Sequence, residues 1–244
     1  MDFSNRLKKE MSEGIVRAVL EDAGYRVTDF GIEKLVPGLN RHTRKQYEAL
    51  AFPTTIRKLP DFIVTAGDEQ SKQLVEVKYR TAWQLEVLSD LREQVEAMRE
   101  IVLVSFNASA PNPRGFIDSP ARFLRCCRLR CEDGRYEAEL RGRDAPGRAW
   151  YSVDSLGSDD ALWWQMSPLR EVFPQLREQE RQLSLRSAVK AISGILHEVN
   201  EDPAGTAQSS VSETSAASPA AHRRGWRARF GGPRRCNQRK GNKS

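Results

Sequence analysis

Two short stretches decide how this chain is read: Pro60-Asp61-Phe62-Ile63-Val64 and, across Thr65–Gln73, Leu74-Val75-Glu76-Val77-Lys78-Tyr79. Both are rich in β-branched residues, and Gly67-Asp68-Glu69 between them is turn chemistry, so the pair reads as an antiparallel hairpin. Successive side chains leave opposite faces of a strand. Glu76 and Lys78 therefore share one face, while Val75 and Val77 enter a core from the other. Asp61 opens the neighbouring strand, and a tight hairpin sets it beside Glu76. Two carboxylates held that close repel unless a cation joins them. Mg²⁺ suits such a place, because it takes one or two carboxylates, keeps several waters and leaves room for a phosphate. The ion would acidify a bound water, and the Lys78 ammonium beside it would orient that water or offset developing charge. Phosphodiester hydrolysis needs those elements together.

Working outward, residues 4–23 read as a helix, with Leu7, Met11, Ile15, Val19 and Ala23 recurring at four-residue spacing. Gly24 follows as a helix stop, and Tyr25–Phe30 alternates like a strand. From Lys34 to Lys58 regularity dissolves around Pro37, Gly38, Asn40 and Pro53, with room for a short helix near 43–51. Residues 82–100 carry an amphipathic stripe of Leu85, Leu88, Leu91, Val95 and Met98, and Ile101–Phe106 is a continuous apolar run suited to a buried strand. The order helix, three strands, helix, strand is an α/β layer pattern with one mixed sheet. Farther along, 115–127 reads as helical, 128–140 and 148–153 as strands flanking a Gly142–Gly147 turn, and 159–199 as mainly helical with Pro168 and Pro174 as interruptions.

Pro60-Asp61 followed by Glu76-Val77-Lys78, 15 residues beyond the aspartate, resembles the PD-(D/E)XK nuclease superfamily. Ser12-Glu13-Gly14-Ile15 on the first helix, then Gly24-Tyr25-Arg26-Val27, fits the same layout. The resemblance covers about residues 8–106. It implies an α/β, restriction-endonuclease-like core of order αβββαβ with a central mixed sheet flanked by helices; beyond its reach, pattern and composition alone read as a mainly helical C-terminal segment and a disordered tail. It also implies a Mg²⁺-dependent endonuclease, with Mn²⁺ as substitute. Asp61, Glu76 and the Val77 carbonyl would hold the metal, Glu13 would hold it directly or through water, and Lys78 would assist the attacking water. Gln94 is the positional match to a glutamine that many members carry after the lysine, with Gln84 its rival.

Residues 1–199 are accordingly expected to form a nuclease-like domain, with its core at about 4–106 and an elaboration at 107–199. Residues 200–244 are Ser/Ala-rich, then Arg-rich, and read as disordered. The chain of 244 residues has a formal charge of +6, all of it after Asn200, where nine basic residues face three acidic ones; the first 200 residues are balanced. The basic pI therefore describes the tail and not a basic face on the body. Arg41, Arg44, Lys45, Arg57 and Lys58 lie in the segment leading to Asp61 and are the better candidates for nucleic-acid contact, with DNA ahead of RNA as partner. Double-strand cutting would favour a homodimer. Cys126, Cys127, Cys131 and Cys236 form no CxxC pair and read as reduced structural thiols, so zinc is not expected. No membrane span and no secretory leader is read, which makes a cytoplasmic setting the expectation. Two other readings stay open: a silent DNA- or protein-binding module of the same fold, and an RNA-directed nuclease.

Overall fold

A computed structural model describes residues 3–36, 38–39, 42–67, 71–110, 120–142, 147–157, 160–178 and 187–188. The chain divides into Met1–Asp202 and Pro203–Ser244, and the expected tail lies outside the described residues. Helix α1 spans Phe3–Asp22. It closes on Gly24, whose φ of 86° is a conformation glycine adopts without a Cβ clash, while the Tyr25 amide reaches back to the Leu20 carbonyl. Strand β1 is Arg26–Asp29. Three short helices follow: α2 (Ile32–Leu35), α3 (Arg44–Ala49) and α4 (Thr54–Arg57). Helix α3 begins with a capping box, Thr43 accepting from the Gln46 amide and the Gln46 side chain accepting from the Thr43 amide.

Strands β2 (Phe62–Thr65) and β3 (Lys72–Arg80) pair antiparallel, and β3 pairs parallel with β4 (Glu100–Asn107). The crossover between β3 and β4 is not one helix but two, α5 (Glu86–Asp90) and α6 (Arg92–Met98). The reason lies in the spacing of the apolar stripe. Leu85, Leu88 and Leu91 recur every three residues, and the chain follows them with tight turns, Leu88 N–H to Leu85 and Leu91 N–H to Leu88. The wider spacing to Val95 restores the ordinary helical bond to Leu91.

The expectation of helix over 115–127 is corrected. Only Pro120–Phe123 is helical (α7), and residues 111–119 lie outside the described residues. From Leu124 the chain is strand β5 (Leu124–Glu132), joined to β6 (Arg135–Arg141) and then β7 (Arg148–Ser152). The C-terminal half thus extends the sheet before it contributes helices. Asp133-Gly134 makes the two-residue β5–β6 turn, both residues having positive φ (51° and 75°), as a hairpin twist matched to its strands requires. Helices α8 (Asp160–Gln165), α9 (Leu169–Val172) and α10 (Gln175–Glu178) follow, with the short strand β8 (Ser167–Pro168) pairing β5. Pro168 and Pro174 stand just before α9 and α10, where a missing N–H costs nothing.

The result is an α/β fold on one mixed sheet in sequential order β1 to β7, antiparallel throughout except for β3–β4. Helices α1, α9 and α10 cover one face, over Val64, Val75, Val102, Val104 and Phe106; α5, α6 and α8 cover the other, over Ile101, Leu103, Leu129 and Leu140. Burial on both faces explains the unbroken apolar run of β4. Cys126 and Cys127 are free and buried, one on each face, and burial raises both thiols out of the reactive range. Trp163 is 2% exposed, packs against Trp83 and donates its indole N–H to the Arg122 carbonyl, so it is a core anchor. Trp163→Ala is expected to cost about 3–5 kcal/mol, read as a fall in the urea midpoint at unchanged m. Among the described residues no helix is long and apolar enough to cross a membrane.

Candidate active site

The site begins where β2 stops. The β2–β3 ladder ends with Phe62 opposite Val75, so one step outward sets Asp61 opposite Glu76 on the same face of the hairpin. The Asp61 carboxylate takes over the ladder there, its Oδ2 accepting the Val77 amide at 2.8 Å. Since the N–H and C=O of one residue leave the same edge of a strand, the Val77 carbonyl is directed to this gap as well. Backbone bonds from Phe30 and Gly31 to the Asp61 carbonyl, at 2.9 and 3.3 Å, fasten the start of α2 to the same point.

Glu76 is 5% exposed, and both its oxygens are engaged: Lys78 donates to Oε1, and Gln94 on α6 donates to Oε2 at 2.8 Å. Glu13 arrives from α1, 8% exposed, with its Oε1 3.6 Å from the Lys9 ammonium and without a hydrogen-bond partner. Lys9 lies closer to Glu33 of α2, at 3.2 Å. Lys9, Glu33, Asp61, Glu76, Lys78 and Gln94 line one cleft of about 370 Å³, to which Tyr47, Arg57 and Lys58 add a further wall.

Charge is poorly dissipated here. Burial, then the negative fields of Glu76 and Glu13, push the Asp61 carboxyl up to about 8, against the pull of Lys78 and the Val77 amide. Burial also raises Glu13, despite Lys9 and Lys34 nearby. Burial opposes the charge on Lys9, yet the fields of Glu33, Asp61 and Glu13 prevail and hold it firmly protonated. Burial would likewise raise Glu33, but Lys9 overrides it and holds that carboxyl below the usual range.

The raised Asp61 carboxyl sets the sign of a pH effect. The unfolded aspartate ionises near about 4 and the folded one at about 8, so between them the folded chain binds more protons and loses stability as pH rises. The melting-temperature difference between wild type and Asp61→Asn, measured in EDTA, is expected to grow in favour of the variant from about pH 5 to pH 8.

Do these groups suit a hard cation? Among the described residues no three His, Cys, Asp or Glu side chains are gathered closely enough to form a ready metal cage. The donor chemistry nevertheless fits Mg²⁺, which needs one or two carboxylates and fills the rest of its shell with water. Asp61 and Glu76 on adjacent strands, the Val77 carbonyl and the orphaned Glu13 Oε1 are all oxygen donors. A divalent ion would also relieve the repulsion that raises Asp61.

Of the residues expected from sequence, Asp61, Glu76, Lys78 and Gln94 meet in the cleft, with Glu13 beside it and Val77 bound to Asp61. Arg57 and Lys58 line its rim, and Lys58 is paired with Glu93 at 3.0 Å. Lys45 is exposed and not among the lining residues; Arg41 lies outside the described residues, as does the side chain of Arg44. Gln94 meets Glu76 rather than standing open for a nucleic acid, and its rival Gln84 is exposed before α5. Lys9, Glu33 and Tyr47 were not foreseen. Lys9 had a signal, one helical turn before Glu13; Glu33 had none. The chain matches no family model, and no curated protein or solved structure matches it significantly.

Proposed function

We propose that this chain is a metal-dependent nuclease of the PD-(D/E)XK type, cutting phosphodiester bonds in nucleic acid, DNA ahead of RNA. The observation that carries the reading is the junction at the end of β2, where Asp61 stands opposite Glu76 and binds the Val77 amide, with Lys78 on the same face of β3. The order α1, β1, β2, β3, α5–α6, β4, with the short helices α2, α3 and α4 inserted between β1 and β2, supports a restriction-endonuclease-like core of αβββαβ form.

Mg²⁺, or Mn²⁺ in its place, would be held by Asp61, Glu76, the Val77 carbonyl and, directly or through water, Glu13. When bound, it supplies Lewis acidity and an acidified water. The chain's own residues do the rest. Gln94 fixes the Glu76 carboxylate through Oε2. Lys78 offers an ammonium where charge grows on the phosphoryl oxygens, a role worth most in a site walled from water. Arg57 and Arg80, which line the cleft, would meet flanking phosphates.

The test is cleavage of matched single-stranded, duplex and structured DNA and RNA by the full chain with Mg²⁺, Mn²⁺ or EDTA, beside Asp61→Ala and Lys78→Ala. Metal-dependent cutting lost in both variants supports the proposal. Binding without cutting would favour the silent module, and cutting of RNA alone would favour the RNA-directed enzyme. Cutting that survives both substitutions would remove the site from the account.

A further inference from the structure

Lys9 has no place in the reaction outlined above, yet its ammonium sits among the acids of the cleft, 3.2 Å from Glu33 Oε1 and 3.6 Å from Glu13 Oε1. Those distances differ in kind. The first is a hydrogen bond; the second is charge compensation alone, and it leaves the buried Glu13 Oε1 without a donor. An ammonium on a flexible four-carbon stem can shift between two such acceptors. Lys9 gives its hydrogen bond to Glu33 on α2, and the backbone bonds from Phe30 and Gly31 to the Asp61 carbonyl anchor the start of that helix. Resting on the cation site proposed above, we infer that Lys9 is a built-in counter-cation that competes with the divalent ion for Glu13, and that Glu33 is the acceptor that draws it aside.

The competition has a distinctive signature. A positive charge a few ångströms from a divalent ion repels it, so removing that charge should tighten binding on the order of tenfold. Removing Glu33 should do the reverse, because Lys9 then closes fully onto Glu13. If Glu33 acts only through Lys9, its loss should not matter once Lys9 is gone, which a double-mutant cycle reads directly.

The experiment is Mn²⁺ titration of the full chain, followed by electron paramagnetic resonance of free Mn²⁺, with unfolding in EDTA to verify each fold. Wild type should bind and Asp61→Asn should not. Lys9→Met and Lys9→Gln should bind about tenfold more tightly, Glu33→Gln severalfold more weakly, and Lys9→Met/Glu33→Gln like Lys9→Met. If wild type binds, Asp61→Asn does not, and the Lys9 variants match wild type, the counter-cation inference is overturned while the metal site stands. A double variant as weak as Glu33→Gln overturns it too, making Glu33 a ligand. Absence of Mn²⁺ binding in wild type, or equal binding by Asp61→Asn, overturns the metal site along with it.

Discussion

Lys78→Met is expected to slow Mg²⁺-dependent cleavage by about 10²–10³-fold, the usual loss when a preorganised charge is withdrawn from a developing anion. Lys78 lies on the face of β3 shared with Glu76, lines the same cleft as Gln94, and its ammonium donates to Glu76 Oε1. Methionine keeps the stem's bulk and removes the charge. Metal binding should therefore persist, and should tighten slightly because Glu76 loses a competing cation. A fall in single-turnover rate at saturating Mg²⁺, with Mn²⁺ affinity equal or better, is the expected pair of results. Loss of rate explained wholly by loss of metal would make Lys78 a support for Glu76 and nothing more.

Asp61→Asn should separate activity from stability in opposite directions. Asparagine can still accept the Val77 amide, so the end of β2 keeps its bond. It cannot carry the negative charge that draws in a divalent ion, and cleavage should fall by about 10³-fold or more. Without metal, the same change removes a buried carboxylate already strained by Glu76 and Glu13. The variant should then be the more stable protein at pH 8, by about 2 kcal/mol, and should lose that advantage as pH falls towards 5. Differential scanning calorimetry in EDTA and cleavage assays on the same preparations check both halves. A site that functions at the expense of stability behaves this way; a merely structural aspartate would destabilise the fold when replaced.

The sequence exposed those parts of the fold whose pattern is local. Val75 and Val77 against Glu76 and Lys78 announce a half-buried strand, and Gly24 announces the end of α1. The first part of strand β5, residues 124–127, was hidden because both its faces are buried, whereas residues 128–132 fall within the expected 128–140 strand. Leu124, Cys126, Cys127 and Leu129 then show no alternation, and with Phe123 they imitate a helical stripe. Arg125 adds to the disguise. It is 7% exposed, donates to the Trp164 and Met166 carbonyls and lies over the Trp164 ring, contacts made with residues distant in sequence. Asp133-Gly134 is a clear turn signal within the expected 128–140 strand, and it separates the end of β5 from β6.

The site divides along the same line. Asp61, Glu76 and Lys78 belong to one hairpin, so spacing alone brings them together on paper. Gln94 depends on how α6 packs against β4 and β5 and from there reaches Glu76, and a family resemblance supplied what spacing could not. Glu33 and Tyr47 depend on how α2 and α3 fold back over the end of β2, through backbone bonds such as Gly31 to Asp61 that no side-chain pattern encodes.

At the centre of this account is the proposal that one hard cation would be held among oxygens of Glu13 on α1, Asp61 just before β2, and Glu76 on β3. Its position can be mapped by loading the full chain with Fe²⁺ in place of Mg²⁺, adding ascorbate and peroxide, and sequencing the fragments that locally generated radicals release. Cuts clustered near Glu13, Asp61 and Glu76–Lys78, suppressed by excess Mg²⁺ and absent from Asp61→Asn, are the predicted result. Cuts confined to other segments, or unchanged in Asp61→Asn, would contradict it.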